Sequence, residues 1–566
     1  MRSSSQGQSV TPALVTQKAV KRMPRWALLL FCAAYVLPGL FGRDPWKNAD
    51  IASFGHMWSL ALGQASWLHP NVGGVTPIGG GILPYWLGGA FIAMLDPWID
   101  PALAARIPFA VLLVAVLALT WYATYHLART DAAQPLPLAF GGEARPADYA
   151  RAVADGAVLA LIASLGLLQL GHETTPELLQ LTGGALFLYG MAAGAHHPLH
   201  GRLATLLCLP MMAASGSPTV ALELAAAGLL ICSLSNDPCM RSHLKWVAIS
   251  GLLAAALASG LSAMGLSGWR VRLEGWPGMG PILRLIIWFT WPALSLAGLT
   301  VWHWRRQIAR RHIAVPLFSA LVGLGASIAM GANDRALLQA LPALAVLAAF
   351  ALPILQRSLG SALDWFSVFF FTAGALLIWL AYGAMYTGVP IKMAGNIAKL
   401  VPGYTAHFSW TALISASVGT ALWLALVRWR TARQTHALWK SLVLPAGGVA
   451  LCWLLLMTLL LPPFDQARSY RLLMNRIEPH ITRGSCVAAP GASVGLLTAL
   501  EYFGGYRVDG LTPTPLLPTT CSVLIISLSA RETAPDVSGW RRVARESQRT
   551  HNSESIAIYR RRTPAD

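Results

Sequence analysis

RWALLLFCAAYVLPGLFGRDPWKNADIASF, residues 25–54, carries no charged residue between Arg25 and Arg43. It then places Arg43, Asp44, Lys47 and Asp50 within eight positions. An apolar run near 20 residues is what a helix needs to cross roughly 30 Å of hydrocarbon, so the stretch reads as a span over 24–42 that emerges into a polar loop. Upstream, residues 1–25 hold Arg2, Lys18, Lys21, Arg22 and Arg25 with no acidic residue. Such a basic flank stays in the cytoplasm. No small-residue cleavage site follows the run, which reads as a retained anchor rather than a signal peptide.

The same pattern continues along all 566 residues, of which 55% are hydrophobic and 12% charged, at a mean hydropathy of +0.54. Soluble domains carry about 25% charged residues, which excludes a globular soluble protein, and a chain this apolar is not disordered. The net charge of +18 suggests nucleic acid at first sight. Its Lys and Arg residues, however, sit in short clusters between apolar runs, which is the signature of membrane topology, and no nucleic-acid partner is expected. Apolar runs fall near 24–42, 82–96, 101–127, 152–170, 181–196, 202–215, 217–234, 244–265, 281–303, 313–331, 336–354, 364–384, 408–428 and 438–461.

If all of these crossed, the clusters WRRQIARRH (304–312) and RWRTARQTH (428–436) would both lie outside, against the rule at its two strongest points. Removing one crossing before residue 128 repairs both. The run 82–96 is short and flanked by Pro84 and Pro97, so it reads as re-entrant or interfacial. The expected fold is therefore a polytopic α-helical membrane protein of about 13 transmembrane helices, N-terminus inside and C-terminus outside. Inner segments then hold 20 Lys and Arg against 7 in the short outer loops. The expected organisation is a cytoplasmic arm 1–23, a membrane domain 24–461 with a first outer loop 43–100, and an outer domain 462–566.

That tail is a different material, with 13 Arg, no Lys and 9 acidic residues. SCVAAP (485–490) and GASVGLLTALEYF (491–503) predict a strand, a Gly turn and a helix, while SVLIISL (522–528) and SIAIYRR (555–561) predict further strands. A small α/β domain follows. Cys486 and Cys521 are the tail's two cysteines, and an oxidising compartment would let them pair; two unpaired buried thiols are the alternative.

The residues with chemical potential gather on the outer side. Asp44 lies where the first span meets the interface, and Asp50 follows six residues on. Ionisable groups at membrane depth are costly and usually face a working cavity, although a pair of solvated, helix-capping carboxylates has the same spacing. The loop continues WLHPNVGGVTPIGGGILPYWLGG (67–89), rich in Gly, Pro and Trp. Its His69 suits a metal, but a lone His is more often a hydrogen-bonded structural residue. GHETTPELL (171–179) supplies His172, Glu173 and Glu177. His172 and Glu173, with an acidic residue of the first loop, suit a divalent cation, while Thr175, Pro176 and Glu177 suit the start of a helix. Basic residues left outside, among them Arg270, Arg272 and Arg335, suit the phosphate of a lipid.

RDPWKNADIA (43–52), PYWLGGAFIAMLDPWIDPALAARIP (84–108), NDRALLQALPALAVLAA (333–349) and LPPFDQARSYR (461–471) together resemble segments of the GT-C-fold glycosyltransferases of family 39. That family includes protein O-mannosyltransferases and lipid A aminoarabinose transferases. The resemblance implies a catalytic aspartate at Asp44, a second acidic position at Asp50, and an outer-end arginine at Arg335. The sequence departs from the family pattern at two points. Pro45 replaces an acidic residue, and GGGILP (79–84) stands where a Lys normally precedes a Pro pair. The donor-phosphate contact would then fall to Arg335, Arg270 or Arg272.

The activity so implied is transfer of a sugar from a polyprenyl-phosphate donor to a hydroxyl acceptor, namely lipid A, another glycolipid or a protein. It would proceed with inversion, Asp44 acting as general base and a divalent metal near His172 or Glu173 as a further expectation. Two other classes compete. A carrier or flippase for a lipid-linked saccharide accounts for the span count, yet transporters bury polar groups at the midplane in paired broken helices, and these spans hold few. A sensor would need a cytoplasmic output domain, which the short inner loops do not provide.

Overall fold

The computed structural model describes residues 11–77, 81–138, 141–194, 196–266, 275–431, 437–511, 521–529, 532–547 and 555–562. Helices occupy nearly every predicted apolar run. Pro101–Ala128, Pro238–Ala263, Arg311–Ala329, Asp334–Ile354, Arg357–Thr387, Trp410–Thr431 and Lys440–Leu459 are each long and apolar enough to cross a membrane. Among the described residues these make seven spans, or eight when the bent pair Met279–Thr290 and Ala293–His303 is counted as one. Other expected crossings are shorter, broken or less apolar helices, including Arg25–Val36 and Pro218–Leu234, so length and hydropathy do not yield the figure of thirteen.

Local chemistry explains where the helices stop. Arg25–Val36 ends two residues before Pro38, which cannot continue a helix. The run predicted over 152–170 is split into Pro146–Ala163 and Leu165–Leu170 at Ser164, whose hydroxyl donates back to the Ala160 carbonyl at 3.0 Å. Pro292 stands in the break between Met279–Thr290 and Ala293–His303, and the two helices meet at 93°. Leu83–Leu95, the short run, is indeed a helix of only 13 residues. It packs on Ala49–Ala61 of the first loop through Gly88, where a β-carbon would fall 2.2 Å from the Met57 sulfur. The arm folds back at residues 11–24, with Ala13 and Val15 buried and Arg22 paired to Asp148 at 2.7 Å.

The C-terminal domain carries a five-stranded sheet in the order β2-β1-β3-β5-β4. Its strands are β1 (Cys486–Ala488), β2 (Arg507–Asp509), β3 (Val523–Leu528), β4 (Trp540–Ser547) and β5 (Ser555–Arg561). β1 runs parallel to β2 and β3, whereas β5 is antiparallel to both β3 and β4. The predicted helix is Val494–Tyr502, capped by Ser493, and it connects β1 to β2. β2 and β4 are strands that the sequence reading did not name. Cys486 and Cys521 form a disulfide.

Alternation along the strands gives the sheet two buried faces. One holds Val487, Ile525, Ile556 and Ile558 together with Leu496 and Leu500 of the helix. Ile51 and Val72 belong to the same cluster although both come from the first loop. The loop after the first span is thus built into the core of a domain more than 400 residues further along the chain, and this arrangement positions the site.

Candidate active site

Four segments distant in sequence meet at one rim of the helical bundle: 43–50, 171–177, 333–335 and 461–471. The first is wound around Trp46. Asp50, in the first turn of Ala49–Ala61, accepts from the Trp46 backbone N–H at 3.1 Å, and the Arg43 guanidinium lies 4.4 Å from the Trp46 ring. Arg43 donates to Asp50 at 3.3 Å and to the His172 carbonyl at 2.9 Å. The ion pair is fully buried, with side-chain exposures of 0% and 1%.

Asp50 also ties the first loop to the second. Its other oxygen accepts from both the N–H and the hydroxyl of Thr174, each at 2.8 Å. Burial works to raise its pKa, but the cations of Arg43 and Arg106 and the N–H groups of Thr174 and Trp46 prevail and hold it below the ordinary value. Its lone pairs are therefore committed to donors.

Asp44 faces the other way. Ser469 donates to its Oδ2 at 2.8 Å, and Arg471 forks onto it, Nε to Oδ2 at 2.9 Å and Nη2 to Oδ1 at 2.6 Å. The Asp44 side chain is 14% exposed and that of Arg471 58%. The Asp44 backbone N–H and the Trp46 indole N–H both donate to Asp465 Oδ1 at 2.9 Å. Burial and the nearby Asp44 charge raise the Asp465 carboxyl above its ordinary value. The Arg468 guanidinium also lies against Trp46, 5.0 Å from its ring.

The expected cation candidates are already engaged. The two ring nitrogens of His172 lie 2.7 Å from the Leu168 carbonyl and 2.9 Å from that of Tyr35. Burial lowers its pKa to about 4, so the ring is neutral and donates to one of the two. Glu173 accepts from Gln169 at 2.9 Å and from Arg335 at 2.5 Å; burial raises its pKa despite that arginine. His69 is exposed, and among the described residues its ring has no hydrogen-bonding partner. No three His, Cys, Asp or Glu side chains among the described residues stand close enough to hold a metal ion. The donor atoms of His172 and Glu173, already bonded to protein groups, do not fit a metal.

Arg335 lies between two acids, bonded to Glu173 and 3.6 Å from Glu177. Arg270 and Arg272 lie outside the described residues. Two other cations are less fully matched: Arg43, one of the basic residues left outside, and Arg106, which the sequence reading gave no role. Nε and Nη1 of Arg43 and Nη2 of Arg106 are buried with no hydrogen-bonding partner. Arg106 lines a water-sized cavity of about 10 Å³ beside Leu40, Phe109 and His172.

The helical bundle also holds apolar space. A cleft of about 680 Å³ is bounded by Leu165, Gly166, Arg284, Leu285, Trp288 and Phe289. A second, of about 380 Å³, shares Leu165 and is otherwise lined by Leu168, Phe370, Phe371, Leu377 and Cys452 among others. The second cleft ends at Leu168, the residue whose carbonyl meets His172.

Sequence reasoning missed Asp465, Ser469, Arg471 and Arg106. A signal existed in LPPFDQARSYR, where Asp465, Arg468 and Arg471 recur every three residues directly after the last span. Three ionisable groups so close together at the interface mark a polar site.

No protein-family model matches the chain, and no curated protein does. Among solved structures, ArnT from Cupriavidus metallidurans bound to undecaprenyl phosphate superposes with a TM-score of 0.60 at 15% identity, covering 94% of this chain and 98% of that one. The apo state of the same protein gives 0.59 at 16% identity with the same coverage. The chain thus has the ArnT-like GT-C fold that the first-loop motif led us to expect, a polytopic helical membrane domain carrying a small C-terminal sheet domain.

Proposed function

We propose that this chain is a membrane glycosyltransferase that moves a sugar from a polyprenyl-phosphate donor to a hydroxyl acceptor, at the periplasmic face of an inner membrane. The observation that carries the reading is one oriented carboxylate, Asp44, in a fold whose apolar cleft space includes Leu168, a residue packed against the cluster around Trp46. A donor with a long isoprenoid tail and a charged head needs both environments side by side. The fold adds support, since the solved relative in that fold holds undecaprenyl phosphate. In this orientation the arm is cytoplasmic and the sheet domain periplasmic.

The chemistry is a single displacement. Asp44 accepts the proton of the acceptor hydroxyl as its oxygen attacks the anomeric carbon, and the bond to the phosphate oxygen breaks with its electron pair, inverting the centre. General-base catalysis of this kind is worth roughly 10²–10⁴-fold. The leaving phosphate is stabilised by cations. Arg335, partly exposed beside Glu173 and Glu177, can reach it, while the buried Arg43 and Arg106 act only through the field of their guanidinium groups. The acceptor is lipid A, another membrane glycolipid or a protein.

The test is reconstitution in nanodiscs with polyprenyl-phosphate sugars and candidate acceptors, reading release of free polyprenyl phosphate. Envelope lipids and glycoproteins compared by mass spectrometry with and without the protein would name the acceptor. Asp44→Asn should fold and lose transfer. A carrier would move the lipid without releasing polyprenyl phosphate, and full transfer by Asp44→Asn would remove the base.

A further inference from the structure

A carboxylate has about four acceptor positions, two on each oxygen. Around Asp44 three are filled: Oδ2 by Ser469 and by Arg471 Nε, Oδ1 by Arg471 Nη2. One position remains, on Oδ1. The donors that fill the others come from neither the first loop nor the membrane bundle. They lie on the short segment joining the last span, Lys440–Leu459, to the sheet domain.

That segment grips the loop at further points. Asp465 takes the Asp44 and Trp46 N–H groups at 2.9 Å each, and the Arg468 carbonyl accepts from Lys47 N at 2.9 Å. Arg471 in turn is seated on the sheet domain, its guanidinium 4.8 Å from the Phe503 ring centroid. Phe503 follows Val494–Tyr502, and Tyr502 packs edge-on against Phe54 and Trp58 of the first-loop helix. The fork of a guanidinium fixes a carboxylate in plane as well as in place.

We infer that Arg471, with Ser469, is a positioning residue for the transfer reaction: it turns Asp44 so that Oδ1 alone presents a free lone pair, and the acceptor hydroxyl delivers its proton there. The inference rests on the glycosyltransferase reading above. It makes the segment from Asp465 to Arg471 part of the active site and gives the sheet domain the task of holding that segment in register. Arg471 touches neither donor nor reacting carbon in this scheme; it acts through Asp44.

The consequence is a split between kcat and KM. An interaction that orients the base without binding substrate lowers kcat and leaves KM unchanged, and a misplacement near 1 Å costs about 10²-fold. Arg471→Gln should therefore lose about 10²-fold in kcat, with KM for donor within about twofold. Arg471→Lys supplies a point charge without the fork and should recover only part of the loss. Arg471 is largely solvent-exposed, so guanidinium added to Arg471→Ala should restore turnover in a saturable way that an equal concentration of sodium chloride does not. Ser469→Ala, which frees a second position on Oδ2, should cost a few-fold in kcat.

The experiment is steady-state release of polyprenyl phosphate by the full-length protein in nanodiscs, for the wild type and these four variants. Thermal unfolding is measured alongside, so that a misfolded variant is recognised and the Ser469→Ala and Arg471→Lys results decide. Active wild type with Arg471→Gln unchanged in kcat, or with its whole loss in KM, overturns the positioning role and leaves the enzyme reading intact. No turnover by the wild type with any donor and acceptor overturns the enzyme reading, and this inference with it.

Discussion

Asp50→Ala should break the junction between the first and second outer loops. The carboxylate accepts from Thr174 N–H and Oγ1 at 2.8 Å, from Trp46 N–H at 3.1 Å and from Arg43 at 3.3 Å. Truncation strands two backbone donors, one hydroxyl and a guanidinium with no exposed surface. Removing one partner of a buried ion pair costs about 3–5 kcal/mol, a large share of the roughly 5–15 kcal/mol by which folded proteins are stable. Asp50→Asn keeps an oxygen for Thr174 and loses only the charge, so it should fall between wild type and Ala. The assay is thermal unfolding in nanodiscs, with protease sensitivity of residues 43–75 as a local readout. Because the folded-state pKa of Asp50 is depressed, its stabilisation is complete at neutral pH. It is lost as pH falls below the unfolded value of about 3.9 and through the lower folded one, so the gap between wild type and Asp50→Ala should close in acid. A loss under about 1 kcal/mol for Asp50→Ala at pH 7, or a gap that widens in acid, would refute the assignment.

Three further outcomes follow from the seam between loop and sheet domain. A β-carbon at Gly55 would fall 1.9 Å from Thr498 Oγ1, so Gly55→Val should push Val494–Tyr502 away and release the domain to limited proteolysis, and Thr498→Ala should partly relieve it. Opening the Cys486–Cys521 bridge, which spans 35 residues, should cost about 4 kcal/mol on loop-entropy grounds, read as a reductant-dependent fall in the unfolding temperature of the sheet domain. Glu501, pushed up to about 7 by burial although a hydrogen bond from the Gly73 backbone works the other way, binds its proton more tightly folded than unfolded. Stability should then decline as pH rises from about 4.3 through 7, and Glu501→Gln should flatten that slope; an unchanged profile would locate the titration elsewhere.

Much of the membrane domain was legible because its signals are local. A run of apolar residues between Arg clusters needs no partner to be recognised, and the breaks at Ser164 and Pro292 lie inside runs that composition had already drawn. Strand alternation in SVLIISL and SIAIYRR is equally local, and both became central strands. The count of crossings was less accessible, since several runs combine short helices with turns that hydropathy averages over. The site was legible only in its first member. Asp44 announces itself by following an apolar run, but Ser469 and Arg471, its partners, are 425 and 427 residues away, and no spacing rule reaches so far.

The assignment of cations shows why the remainder was out of reach. Arg335 drew attention because basic residues outside are disfavoured, yet the reason it is tolerated there is close by in space: Glu173 and Glu177 neutralise it. Arg106, inside an apparent span, looked like part of an apolar helix and was assigned no task. Its guanidinium instead shares a buried field with Arg43, against which Asp50 supplies one contacting carboxylate. Asp465 and Asp100 act on Arg106 from further off, and burial weakens the screening that water would supply. A charge balance of that kind is a property of the assembled network. It follows from which partners each side chain has already used, and that is settled only when the loops and the connecting segment come together.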